Sequence, residues 1–97
     1  MATQTSTAWT ADEVSNLSIH AIARIIQRDW STKGKGVNFA AKPYLEVMRS
    51  MEDVDAKYGM DSGASIIRYF LSNAGSWRGE TAKIVKAELN KRIKGKF

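Results

Sequence analysis

The chain has 97 residues, a formal net charge of +5 and no cysteine. Disulfide scaffolding, thiol catalysis and most structural zinc sites are thereby excluded. A single domain of this size buries roughly 60–65% of its unfolded surface, enough to fold without staples. No apolar run approaches the roughly 20 residues of a membrane span, and the opening "MATQTSTA" lacks the basic start and apolar stretch of a signal peptide. Residues 1–9 are expected to be a disordered lead-in and 10–97 a single helical domain of a cytosolic protein.

"WTADEV" opens the first helix. Thr10 takes the N-cap and Glu13 the third helical position, the spacing of a capping box, and Trp9 can pack on Val14 as a hydrophobic staple. At 100° per residue, Val14, Ile19, Ala21, Ile22, Ala23, Ile25, Ile26 and Trp30 share one broad arc, with Asn16, His20, Arg24 and Gln27 opposite. One helix from about Thr10 to Trp30 is expected. Asp29 lies near its C-terminal end, where a negative charge opposes the helix dipole, and on the apolar side. If buried, this carboxylate needs a cation or a hydrogen-bond donor. Arg78, Lys42 and Arg68 are candidates, and both an internal Asp29–Arg78 clamp and a functional polar pocket are open.

"STKGKGVNF" has two glycines and no apolar period, so it reads as a surface loop. Its Gly-Lys-Gly lacks the spacing and the Lys-Ser/Thr ending of a phosphate-binding loop. Pro43 suits the first turn of a second helix, with Tyr44, Val47, Met48 and Met51 at helical spacing. Ser50 and Asp53 offer a restart for "MEDVDAKY", stopped by Gly59 as a C-terminal cap. Residues 43–58 are thus either one bent helix or two short ones.

The next helix is capped by Asp61 or Ser62, buries Ile66, Ile67, Phe70, Leu71 and Ala74, and ends with Gly75 after its last turn. Ser76 is expected to cap the last helix, running to about Lys94. Ala82, Ile84, Val85, Leu89 and Ile93 would face inward, with Lys83, Lys86, Asn90 and Lys94 as an outer stripe. Glu88 and Arg92, in the favoured i,i+4 order, fall inside the apolar arc, where they would pair at the core's rim or meet a partner. No stretch alternates with period two between turn signals. The fold expected is all-α: a compact single-domain bundle of four to five helices.

Chemistry-bearing constellations are sparse. His20 stands alone on a polar face and supports no Ser-His-Asp arrangement. Glu52, Asp53, Asp55 and Asp61 could attract a divalent cation, yet the ligand order of a calcium loop is missing, and a solvated acidic helix suffices. Neither an enzyme, a cofactor nor a metal site is expected. Charge placement says more. Residues 1–76 carry eight Lys/Arg against eight Asp/Glu, whereas residues 77–97 carry seven (Arg78, Lys83, Lys86, Lys91, Arg92, Lys94 and Lys96) against Glu80 and Glu88. Such an imbalance fits a polyanionic partner, or a solvated helix end that complements its own dipole. Trp77-Arg78-Gly79 would occupy the opening turn of the last helix, where amides and Arg78 favour an anion. Trp77 would then be a stacking face for a base or a plug in the core. A helix-turn-helix reading fits the length of "AGSW", but a lysine stripe suits phosphates rather than base edges.

The strings "RDWS", "VNFAAKPYLEVM" and "KYGMDSGASIIRYFLSNAGSWRGETAKIVKAEL" resemble a family of small proteins encoded by bacteriophages, notably those of actinobacteria and cyanobacteria. The resemblance covers about residues 24–94, and the string from Tyr58 to Leu89 is its most specific part. It implies a phage-encoded protein of the host cytoplasm and brings no activity with it. Within these strings, Asp29, Lys42, Tyr44, Tyr58, Asp61, Arg78 and Gly79 are not explained by core packing.

Two functions follow from these readings. In one, an accessory protein grips the DNA or RNA backbone without strong sequence preference, through Arg78, Lys83, Lys86, Lys91 and Lys94. In the other, it binds and modulates a host protein, with Trp77, Tyr44 and Tyr58 as anchors beside Asp29, Lys42, Asp61 and Arg78.

Overall fold

The computed structural model describes residues 9–51, 54, 57–58 and 61–94, with 57, 58 and 61 described by their backbone. Five α-helices and one minimal β ladder make up this part: α1 (Ala11–Ser15), α2 (Ile19–Ser31), α3 (Lys42–Met48), β1 (Lys57–Tyr58), β2 (Asp61–Ser62), α4 (Gly63–Ser72) and α5 (Glu80–Ile93). The all-α single-domain bundle expected from the periodicity is the fold observed. The lead-in assigned to residues 1–9 falls outside the described residues except for Trp9, which is half-buried against the core.

The capping box forms as the spacing requires. Thr10 Oγ1 accepts from the Glu13 amide at 3.2 Å, and Glu13 Oε1 accepts from the Thr10 amide at 2.9 Å. The single long helix does not. The chain breaks at residues 16–18, and Ser18 caps a new helix by accepting from the Ala21 amide. The break has a local cause and a distant one. Ser15 Oγ and Asn16 Nδ2 donate to the Asp12 carbonyl at 2.8 and 2.9 Å, diverting it from the helical ladder. Arg92 then donates through Nη2 to the carbonyls of Val14 and Ser15, both at 3.1 Å, closing the frayed end from 77 and 78 residues away.

Pro43 does sit in the first turn of α3. The helical restart proposed for "MEDVDAKY" does not extend to its end, because Lys57 and Tyr58 pair antiparallel with Ser62 and Asp61. Glu52, Asp53, Asp55 and Gly59 lie outside the described residues. A ladder of two residues per strand is too short to leave a period in the sequence. Ser62, one of the two expected caps, accepts from the Ser65 amide at 3.1 Å to start α4. Gly75 does not end that helix. Asn73 is the C-cap, and among the described residues the glycines at positive φ are Gly34, Gly36 and Gly79.

α3 packs on α4 and on α2, while α5 packs on α1, α2 and α4. Trp30 of α2 links α4 to the turn before α5 within the one core. Its ring meets Phe70 edge-on, with centroids 6.1 Å apart and planes at 78°, and stacks on Trp77 at 5.9 Å and 18°. Such aromatic pairs add about 0.5–1.5 kcal/mol each beyond the area they bury. Val14, Ile19, Ile22, Ile26, Leu45, Met48, Met51, Ile67 and Leu89 complete the buried interior.

Candidate nucleic-acid interface

The last helix starts at Glu80, with Gly79 as its N-cap, so Ser76 is not its cap and Trp77-Arg78-Gly79 precedes the first turn. The reason is Trp77. Its indole is fully buried, and its Nε1 donates to Asp29 Oδ2 at 2.8 Å. Pulling that ring inward bends the backbone, and Gly79 absorbs the bend at φ 112° and ψ 179°, a region essentially reserved for glycine.

Asp29 is thus a structural group, but its partners are not the ones expected. It accepts from Trp77 and pairs with Lys33 Nζ at 3.3 Å, in place of Arg78, Lys42 or Arg68. Lys33 also donates to the Arg78 carbonyl at 3.1 Å. A Cβ on Gly79 would stand 2.5 Å from that amine, the far end of a flexible side chain that can shift aside, so the positive φ is what calls for glycine there. Trp77, Asp29 and Lys33 together lock the turn onto the end of α2. Trp77 therefore offers no face to a base or a host protein; it is a core plug.

Arg78, the next residue, points the other way. It is exposed, and its guanidinium makes no hydrogen bond or ion pair with a described residue. Lys86 is withdrawn from the outer stripe. It is half-buried, donates to the Trp77 carbonyl at 2.7 Å and lies 5.9 Å from the centre of the Trp77 ring. Burial, and next the charge of Arg78, pull its pKa below the ordinary lysine value of 10.5. The two cations are thus held in mutual repulsion, which a bound anion would relieve.

Lys83 and Lys91 remain exposed on α5, and Lys94 at its C-cap. Lys83 and Lys91 line a shallow groove of about 330 Å³ against α1, shared with Glu80 and Glu88. The stripe is therefore diluted by carboxylates, and Arg92 is taken up by Glu88 at 2.6 Å and by the carbonyls of α1. The rim pairing expected for Glu88 and Arg92 is the one observed.

The remaining sequence candidates scatter. Lys42 is exposed at the start of α3. Tyr44 is half-buried against the exposed Tyr69, with centroids 5.5 Å apart. Tyr58 and Asp61 sit opposite each other in the β ladder, and only their backbone is described. His20 is half-buried, its ring 3.3 Å from Ser18 Oγ. Among the described residues no group of three or more His, Cys, Asp or Glu could hold a metal ion, and no helix is long and apolar enough to cross a membrane.

Two exposed aromatic residues were not singled out by pattern, Phe39 and Tyr69. Phe39 stands 86% exposed beside a cleft of about 570 Å³, lined also by Lys33, Lys35, Ser76 and Arg78. Its signal in the sequence is a phenylalanine with no periodic partner, three residues after a Gly-Lys-Gly loop. A second cleft, of about 480 Å³, opens between Trp9, α2 and the start of α5, with Arg24, Arg28, Asp29 and Thr81 in its walls. Comparison with models of known families, with curated proteins and with solved structures finds no match.

Proposed function

We propose that this protein binds the backbone of nucleic acid without strong sequence preference, as a phage-encoded accessory factor in the host cytoplasm. The phage assignment is supported by the resemblance of residues 24–94 to small phage-encoded proteins. The binding role is carried by one observation: Arg78 is exposed and unpaired among the described residues, on a turn bolted to the core. A guanidinium pre-organised in this way gives up little entropy on gripping a phosphate. Lys83, Lys91 and Lys94 extend the contact along α5, and Lys86 raises the local potential from behind. The role is one of binding, with no catalytic step assigned.

Gel shifts with duplex and single-stranded DNA over a salt series test this. Each phosphate contact contributes about −0.9 to the log–log salt slope on duplex and about −0.7 on single strands. Charge reversal at Arg78 and Lys83 should weaken binding evenly across unrelated sequences. No binding at about 50 mM salt refutes the reading.

A host-protein role retains one supporting feature, the Tyr44–Tyr69 pair, in which Tyr69 is 44% exposed. A host-lysate pull-down that loses its captured protein with Tyr69→Ala, and keeps it with Arg78→Glu, would favour this second reading.

A further inference from the structure

We infer that the cleft between the 33–39 loop and the 76–78 turn is a single-strand site, in which an unpaired base stacks on Phe39 while Lys35 and Arg78 hold the flanking phosphates. This rests on the nucleic-acid reading and narrows it to one strand and one surface.

Phe39 carries the argument. A phenyl ring that folding leaves 86% exposed contributes nothing to the core. The loop that bears it is nonetheless anchored at both ends. Lys33 donates to the Arg78 carbonyl at one end, and Asn38 Nδ2 donates to the Asn73 carbonyl at 3.0 Å at the other. Asn38 also closes its own turn, its side-chain oxygen accepting from the Ala40 amide at 3.2 Å. The ring is therefore displayed from a braced position.

What surrounds the ring specifies the ligand. The cleft's walls hold Lys33, Lys35 and Arg78 and no carboxylate. Lys33 is spent on Asp29 and the Arg78 carbonyl, which leaves Lys35 and Arg78 with free charge. Gly34 and Gly36 stand at φ 50° and 79°, and a Cβ at Gly34 would meet nothing within 4 Å, so a ligand's backbone can approach the loop closely. At about 570 Å³ the cleft is within the usual range for small-ligand sites, about 300–1,000 Å³. An exposed ring that shares a cleft with two free cations is the arrangement that single-strand binders use, since every unpaired base has a face to stack. In a duplex those faces are covered by neighbouring pairs, so Phe39 gains nothing there.

Fluorescence anisotropy separates the possibilities, using labelled oligothymidylate of about 12 nucleotides and a duplex of the same length. Phe39→Ala, a surface change that leaves the core intact, should weaken oligothymidylate about tenfold and the duplex less than twofold. Arg78→Gln should flatten the single-strand salt slope by about 0.7. If both DNAs bind and Phe39→Ala changes neither, the inference falls while backbone binding stands. If neither binds at about 50 mM salt, both fall. If poly-glutamate of equal charge displaces oligothymidylate as well as unlabelled oligothymidylate does, the cleft takes acidic protein and the inference falls.

Discussion

Replacing Asp29 by alanine should unlock the turn that carries Arg78. The buried Trp77 N–H would lose its acceptor, and a buried donor left unsatisfied costs about 1–3 kcal/mol. Hydrogen bonds to a charged acceptor fall in the upper part of that range, so about 2 kcal/mol belongs to this contact. The Lys33 pair adds little, about 0.5 kcal/mol at most, because the lysine is 43% exposed and solvent screens it. A domain of this size has a urea slope of about 1–1.5 kcal/mol per molar, so the midpoint should fall by roughly 1.5–2 M. Asp29→Asn keeps an acceptor oxygen and should lose about half as much. Trp77→Phe removes the donor but also changes core volume, so a double-mutant cycle with Asp29→Ala isolates the bond. A coupling energy near 1.5 kcal/mol is expected. One below about 0.5 kcal/mol would show that Asp29 and Trp77 act independently and that the latch is not what positions Arg78.

Two further outcomes follow from the same contacts. Arg92→Met should destabilise the fold by about 2–3 kcal/mol, since it strands a Glu88 carboxylate only 11% exposed and uncaps α1; amide exchange in residues 11–15 should accelerate most, and Arg92→Lys, lacking the planar fork, should recover less than half. For Lys86, the folded chain holds its proton less tightly than the unfolded chain does, so unfolding takes up a proton between the lowered pKa and 10.5. The contribution of this group to stability therefore grows as pH rises through that window. Arg78→Gln should move the Lys86 pKa back toward 10.5, which titration of the side-chain ammonium by NMR reads directly; an unmoved pKa would mean that burial alone sets it.

The apolar arcs of α2, α4 and α5 were legible because a 3.6-residue period survives any arrangement of the helices. Ile22, Ile26, Ile67, Phe70, Val85 and Leu89 are buried where the wheel puts them. The caps at Thr10 and Ser62 were legible for a similar reason: the bond they make spans three residues. Glu88 and Arg92 belong with them, one helical turn apart. Helix ends governed by distant contacts were not. Ser76 and Gly75 have the right chemistry for a cap and a stop, yet burial of Trp77 moved the start of α5 to Gly79 and Glu80. The break before Ser18 was hidden because the side chain that completes it, Arg92, is far along the chain.

The candidate site divides in the same way. Sequence alone determined that excess positive charge lies beyond residue 76 and that Arg78 follows a tryptophan of uncertain facing. Only the tertiary structure decided which cations remain free, because neutralisation depends on who stands within about 4 Å, whatever the order along the chain. It assigned Asp29 to Trp77 and Lys33, drew Lys86 and Arg92 inward, and brought the exposed ring of Phe39 to Arg78 across some forty residues of chain. Periodicity records which face of a helix is apolar. It carries no information about which loops that packing brings together, and the proposed site lies between two loops.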